Sequence, residues 1–238
     1  MNTNIPGPWQ NEAELAMVRD WFYPSHSVED PYELKSREDM RSEAIARVNV
    51  WTFKSHKTPV AVISTADLTD SIIHYEKMVS TNNPDSYRAV QFMFAFAFLR
   101  FVNSFVDRDV AKAATAALIT SEDDDDDETS VKIAGESSMY AHAAAISMPN
   151  RFVDLRHQVS HGQLPDVKAL RDAANEGLTW LWERWWKGNA TGDPTTALSY
   201  ERAQSADTEA GVATNAVRAT ILRSKKLIDW PSQSLDYK

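Results

Sequence analysis

The stretch "YRAVQFMFAFAFLRFVNSFV", residues 87–106, decides the fold. Its apolar residues neither alternate nor keep to one side of a helix, but recur on almost every side. A helix that is hydrophobic all round is typical of the centre of a helical protein, so the stretch predicts a buried central helix. Arg100 and Asn103 interrupt it. We expect these two residues to be satisfied core groups or interface groups rather than ligands.

Helical spacing also dominates on both sides of this stretch. Glycine is scarce, with 7 residues, and "PVAVI" at 59–63 is the nearest approach to a strand pattern. A Ser-x-x-Asp capping box at residues 64–67 predicts the start of a helix that reaches residue 79. Further helices are predicted at residues 11–22, 35–52, 137–147, 150–161, 166–186 and 208–229. The sequence therefore predicts an all-α bundle in residues 1–187, followed by a linker and a C-terminal helical extension in residues 188–238.

The composition narrows the class of protein. The chain has no cysteine, which excludes disulfides and cysteine-ligated zinc and fits a reducing compartment. The apolar run at residues 92–99 is too short to cross a bilayer, and the first residues lack the pattern of a secretory signal. We expect a soluble, intracellular protein that does not contact a membrane.

The net charge of -9 is concentrated in one block. Residues 122–128, "EDDDDDE", are all acidic, and the rest of the chain is close to neutral without them. Such like charges repel and cannot pack, so the pattern predicts a disordered acidic loop at about residues 120–132.

The stretch "RHQVSH", residues 156–161, carries the candidate chemistry on the helix predicted at 150–161. At 100° per residue, Phe152, Leu155 and Val159 define the buried face of this helix. His157 and His161 point away from that face, and Arg156 lies on its shoulder. The histidines therefore face either water or something brought up against the bundle.

Three interpretations of this stretch stay open on spacing alone. It is a solvated helix face, or a zinc site formed by histidines at i and i+4, or a site for metal-free phosphodiester cleavage. In the third case an arginine stabilises the charge on the phosphate, and histidines act as general base and general acid near neutral pH.

The surrounding residues resemble a known family. "PNRFVDLRHQVSHGQLP" at 149–165 resembles the core motif of the Las family of nuclear HEPN endoribonucleases, and the resemblance covers roughly residues 8 to 187. Ser160 stands where the family tends to have threonine, and Met148 where it tends to have glycine. Further similar blocks occur in the family's order: "PW" at 8–9, "RSEAIARVNVW" at 41–51, "PVAVISTADL" at 59–68, "RFVNSFVD" at 100–107 and "WLWERWW" at 180–186.

This resemblance implies a HEPN nuclease domain in residues 1–187 that forms a face-to-face homodimer. It implies that Arg156, His157 and His161 are catalytic, with no cofactor and no metal. Asp154, three residues before His157, either orients the ring of His157 or is a solvated aspartate, and Ser160 is a second candidate supporting residue. The implied substrate is the second internal transcribed spacer of precursor rRNA, cut to 2′,3′-cyclic phosphate and 5′-OH ends during large-subunit biogenesis. A polynucleotide 5′-kinase partner and a nuclear, nucleolar location follow from the same resemblance.

One alternative function stays open. The bundle could be a non-catalytic dimerisation or scaffold module of a ribosome-assembly complex, in which the motif is merely structural. The resemblance does not extend to the residues after about 190, so it implies no role for them in binding the kinase.

Overall fold

The computed structural model describes residues 7–28, 30–120 and 139–197, without the side chains of residues 107–120. This described part is helical and contains no strand, which confirms the predicted all-α class. The main helices are α1 (Glu12–Phe22), α2 (Pro24–Ser27), α3 (Pro31–Ser36), α4 (Arg41–Lys54), α5 (Val60–Ser80), α6 (Tyr87–Thr120), α7 (residues 139–145), α8 (Asn150–His161) and α9 (Val167–Leu181). A π-helical turn, Trp182–Trp186, continues α9 into α10 (Lys187–Asn189).

The core is built around α6, against which α5, α8 and α9 pack. Phe94, Phe98 and Phe101 of α6 are fully buried. Phe152 of α8 meets Phe98 and Phe101 edge-on, with 5.3 and 5.8 Å between ring centroids. Aromatic rings favour this arrangement because the positive edge of one ring meets the negative face of the other. The predicted central position of this helix is confirmed.

The apolar part of α6 is also long enough to span a membrane. Pro84–Val106 passes that test by length and composition alone, with a mean hydropathy of 1.6. Half of its apolar window is buried inside the protein, as in the core helix of a helical bundle. The contacts with α5, α8 and α9 account for the apolar character of its inner side.

The outer side of α6 differs from the prediction. Phe92 and Phe96 are 52% and 62% exposed. The expectation of burial on every side is therefore wrong for these two rings. The helix also continues to Thr120, beyond the apolar stretch that predicted it.

The first helices confirm one boundary and correct another. Asn11 caps α1, because its side-chain oxygen accepts the backbone N–H of Glu14 at 2.9 Å. The single helix predicted at residues 35–52 is instead two helices, α3 and α4. Asp30 caps α3, and Asp39 accepts the N–H of Arg41 at 3.1 Å where α4 begins. Each aspartate offers a local start signal, which separates the two helices.

The start of α5 lies earlier than the capping box predicted. Pro59 precedes the first turn, and its carbonyl accepts the N–H groups of Val62 and Ile63 at 3.0 and 3.2 Å. Residues 59–63 therefore open a helix rather than form a strand. Ser64 lies buried inside the helix and does not cap it, while the hydroxyl of Thr65 donates to the Ala61 carbonyl at 2.8 Å.

The tryptophan-rich end of α9 packs in a register that simple spacing does not predict. A spacing of i, i+3, i+4 and i+7 puts Leu178, Leu181, Trp182 and Trp185 on one face of the helix. Leu181 is buried there, and the other three are half-buried against the core. The π-helical turn inserts an extra residue, and Trp186 becomes the fully buried ring. Its indole N–H donates to the Thr65 hydroxyl at 2.9 Å.

Two of the predicted regions lie outside the described residues: the acidic run at 122–128 and the C-terminal helix predicted at 208–229. The chain divides into two compact units, Met1–Pro194 and Thr195–Lys238. The helices and contacts described above all belong to the first unit.

A buried carboxylate ties α1 to α4. Glu14 is 6% exposed. One of its oxygens accepts from Arg47 Nη1 and from Trp51 Nε1, each at 3.1 Å. The other accepts the backbone N–H of Gln10 at 2.6 Å. The carboxylate thus satisfies three donors at once.

Replacing this carboxylate should destabilise the fold. Glu14→Ala removes the acceptor of the buried Trp51 indole and one acceptor of the Arg47 guanidinium, and we expect a loss of about 2–3 kcal/mol in the free energy of unfolding. Urea unfolding measures it. Glu12→Ala, an exposed carboxylate on the same helix, is the control and should change stability by no more than about 0.5 kcal/mol. Equal losses in both variants would contradict a buried network.

Candidate functional site

The helix α8 carries the candidate site on its outer side. Its inner side holds Phe152 and Val153, which are buried, and Leu155 and Val159, which are half-buried against the core. The predicted face is therefore confirmed, but it is wider than expected. Val153 shares the lining of a small pocket with residues of α7, a helix that covers this second flank of α8.

The two histidines lie together on the exposed side of α8. The ring centroids of His157 and His161 are 5.1 Å apart, with 61° between the ring planes. Both side chains are exposed, as the helix period predicted. His157 also lines the pocket beside Tyr140. Two imidazoles thus lie on one surface, one turn apart.

Arg156 is oriented by a residue of α6. Its Nε donates to Oδ1 of Asn103 at 2.8 Å, and both side chains are half-buried. Within the described part of the chain, this is its one hydrogen bond. A guanidinium has five N–H donors, so its outer donors are left for an anion. Asn103 is a satisfied polar group of the central helix, as expected, and it positions the arginine.

The two supporting residues make contacts of their own. The carboxylate of Asp154 accepts the hydroxyl of Tyr140. The hydroxyl of Ser160 donates to the carbonyl of Arg156 at 2.9 Å, a bond inside the helix. The prediction that Asp154 orients the ring of His157 stays a prediction. Sequence reasoning missed Tyr140, because it lies in no motif and reaches α8 only through packing.

The first turn of α6 holds the end of α8. Gln91 is 5% exposed, and its Nε2 donates to the Pro165 carbonyl at 2.6 Å. Its Oε1 accepts from Arg88 Nη1 at 3.0 Å. The Tyr87 hydroxyl accepts the N–H of Val167 at 3.4 Å. The link that follows His161 is therefore pinned to the central helix, which fixes the C-terminal end of α8.

The chemistry of this surface suits a phosphate ester. A guanidinium binds phosphate oxygens in pairs, and imidazole exchanges protons near neutral pH. Among the described residues, no group of three or more His, Cys, Asp or Glu side chains is placed to hold a metal ion. A zinc ion on His157 and His161 would need further ligands from elsewhere to complete its usual four.

Fold and site together define a class: an all-α protein whose surface helix presents an arginine and two histidines beside a buried aromatic core. The family model described as Las1-like matches residues 7–188. This chain belongs to the Las1-like family, in agreement with the resemblance carried by residues 149–165.

Curated relatives agree with this assignment. The chain is 31% identical to "Protein LAS1" of Saccharomyces cerevisiae over 181 residues, 75% of this chain and 30% of that protein. It is 38% identical to "Pre-rRNA-processing protein las1" of Schizosaccharomyces pombe over 58 residues, 24% of this chain and 12% of that protein. It is 23% identical to "Ribosomal biogenesis protein LAS1L" of Mus musculus over 154 residues, 64% of this chain and 16% of that protein. The matched regions thus span less than a third of each relative.

The contact between Gln91 and Pro165 gives a stability prediction. Gln91→Leu leaves the buried carbonyl of Pro165 unpaired, and we expect a loss of about 1–3 kcal/mol in the free energy of unfolding. Urea unfolding is the measurement. Gln158→Leu is the control, because that exposed amide donates to Gln163 in the same link at 3.4 Å. It should cost less than about 0.5 kcal/mol. If Gln91→Leu unfolds at the same urea concentration as the wild type, the hydrogen bond from Gln91 to Pro165 does not hold the link.

Proposed function

We propose that this chain is a metal-independent endoribonuclease that cleaves the second internal transcribed spacer of precursor rRNA during large-subunit biogenesis. The observation that carries the proposal is the pair of exposed imidazoles beside a guanidinium that Asn103 holds in place. Membership of the Las1-like family and the words "pre-rRNA-processing" in one relative's name supply the substrate class. The products are a 2′,3′-cyclic phosphate and a 5′-OH.

The reaction follows from the chemistry of these groups. His161 removes the proton from the ribose 2′-OH, and the 2′ oxygen attacks the adjacent phosphorus. The bond from phosphorus to the 5′ oxygen breaks, and a second histidine, His157 or one from the other subunit, acts as an imidazolium and gives its proton to that oxygen. Arg156 binds the phosphate and stabilises its additional negative charge in the transition state. No water molecule is consumed in forming the cyclic phosphate.

A homodimer completes the site in this proposal. The exposed rings of Phe92 and Phe96 lie one turn apart on α6, and Asn103 lies about two turns beyond Phe96 on the same face. An apolar surface therefore leads directly to the residue that positions Arg156. A second copy related by a two-fold axis would cover these rings and bring its own Arg156 and histidines to the same cleft.

Arginines border this apolar surface of α6. The guanidinium of Arg88 lies 5.0 Å from the ring centroid of Phe92, and that of Arg100 lies 5.8 Å from the ring of Phe96. Arg100 also pairs with Asp67 of α5 at 3.4 Å. Burial raises the pKa of the Asp67 carboxyl, and Arg100 lowers it in part. Charged side chains thus flank the apolar rings, as polar residues do at the rim of a protein interface.

The biological setting belongs to the same proposal. A 5′-OH product requires phosphorylation before enzymes that need a 5′ phosphate can act on it, so a polynucleotide 5′-kinase is the expected partner. Ribosome assembly places both proteins in the nucleus and nucleolus. The name "Ribosomal biogenesis protein" of the mouse relative supports this setting.

Removing the site residues should abolish cleavage. Arg156→Ala and His161→Ala should each lower the rate of spacer RNA cleavage at least about a hundredfold, because each removes a group that acts in the transition state. The assay is gel electrophoresis of the RNA with end-group identification. The chain should be tested alone and with the kinase.

Controls separate catalysis from folding. Arg151→Ala removes a cation from the same helix, where it pairs with Glu176, and should leave cleavage unchanged. Circular dichroism checks that each variant is folded. EDTA should not inhibit the wild type, and inhibition reversed by zinc would favour a metal site. Full cleavage by both site variants would favour the scaffold function instead.

The proposed interface on α6 predicts that a charge placed at Phe96 weakens the dimer. Phe96→Glu should weaken self-association at least about tenfold, because it places a charge where an apolar ring would be buried. Sedimentation velocity measures the association. Tyr32→Glu is the matched control, since that ring is 85% exposed on α3. If Phe96→Glu dimerises as strongly as the wild type, the exposed rings of α6 do not form the dimer interface.

A further inference from the structure

A second exposed aromatic surface lies at the end of α4, away from α6 and α8. Phe53 is 94% exposed, and Val50, three residues earlier, is 47% exposed. Trp51 between them is buried in the core. Phe53 therefore contributes almost nothing to packing, although phenylalanine is among the side chains most often buried.

The charged residues that neighbour Phe53 along the chain are all of one sign. Residues 44–66 contain no acidic residue, in a chain whose net charge is -9. Lys54, His56 and Lys57 follow Phe53 and are exposed. Arg47, the remaining cation of this stretch, binds the buried carboxylate of Glu14. The lysines and the ring thus form one exposed surface, which we call the α4 patch: Phe53, Lys54, His56 and Lys57.

Local hydrogen bonds hold the α4 patch in shape. The N–H of Ser55 donates to the Trp51 carbonyl at 2.9 Å, which ends α4. The hydroxyl of Thr58 donates to the Ser55 carbonyl at 3.2 Å. The hydroxyl of Ser55 accepts the N–H of Lys57 at 3.2 Å. Ser55 and Thr58 are buried, so they anchor the turn from inside while the residues of the patch face outward.

We infer that the α4 patch binds a single-stranded segment of the RNA. The exposed ring offers a surface on which a base stacks, and the two lysines pair with the phosphates on either side. An apolar patch without charge would suit a protein partner, whereas flanking cations without acids complement a polyanion. This inference rests on the proposed function, because it takes RNA as the ligand of the chain.

The distance of the α4 patch from α6 determines how it contributes to RNA binding. α5 packs against α4 and also against α6. With packed helices 8–10 Å apart, the patch lies on the order of 20 Å from α6. An RNA must therefore extend several nucleotides beyond the cut to reach it. The patch contributes to the affinity for long RNA and takes no part in the chemical step.

The test measures the affinity of the full chain for a 2′-O-methyl copy of the spacer RNA, which cannot be cut because it lacks the attacking hydroxyl. Phe53→Ala should weaken binding about tenfold, which is within the range of one lost base stack, and Phe53→Tyr should bind as the wild type does. Tyr32→Ala is the control, an exposed ring beside Asp30 and Glu33, and should bind normally.

The salt dependence gives a second readout. Replacing Lys54 and Lys57 by glutamine should reduce the slope of log K against log salt by about 0.7 for each lysine that contacts a phosphate. Unchanged affinity in Phe53→Ala and an unchanged slope in the lysine variant would overturn the inference. Weaker binding of the kinase or of a second copy, with normal RNA affinity, would make the patch a protein-docking surface and also overturn it.

Cleavage of unmodified RNA distinguishes this inference from the proposed nuclease. In Phe53→Ala, KM should rise for a long RNA while kcat stays unchanged, and a short oligonucleotide should show neither effect. If wild-type protein binds RNA in a way that depends on Phe53 but never cuts it, the nuclease proposal fails and the patch stands. If cutting is normal and Phe53→Ala binds RNA normally, the patch fails alone. Without RNA binding by the wild type, both fail.

Discussion

The contact of Phe152 with Phe98 and Phe101 sets the position of everything on α8. These three rings meet edge-on in the core, 5.3 and 5.8 Å apart across the helix pair. Because the helix turns by 100° per residue, fixing Phe152 toward α6 turns His157 and His161 toward the exterior. The aromatic contact between α6 and α8 therefore orients the candidate site without touching it.

Two amides on the apolar helix α6 refine this placement. Asn103 accepts from Arg156, and Gln91 donates to the carbonyl of Pro165 beyond the end of α8. Gln91 is buried and Asn103 is half-buried, and an amide removed from water is costly unless it is hydrogen-bonded, so the position of each partner matters. The central helix thus supplies the apolar packing that holds α8. It also supplies the two polar contacts that position Arg156 and the link after the end of α8.

The exposed aromatic residues fall into two surfaces of different chemistry. On α6, Phe92 and Phe96 continue toward Asn103, which favours a second copy of the chain as their cover. On α4, Phe53 lies beside lysines in a stretch, residues 44–66, that contains no acidic residue, which favours a nucleic acid. In both cases the net charge of -9 is a poor guide, because charge acts locally and seven acids lie together in residues 122–128.

Periodicity by itself determined the all-α class and the outward direction of His157 and His161, and Pro149 and Gly162 determined the limits of α8. These features depend on neighbours along the chain. It could not find the partner of Arg156, since Asn103 lies 53 residues away in sequence. The burial of Val153, the early start of α5 and the register of Trp186 likewise emerged only in the tertiary structure. Packing between distant segments decides such features, and a hydrophobic pattern records which side is apolar but not what covers it.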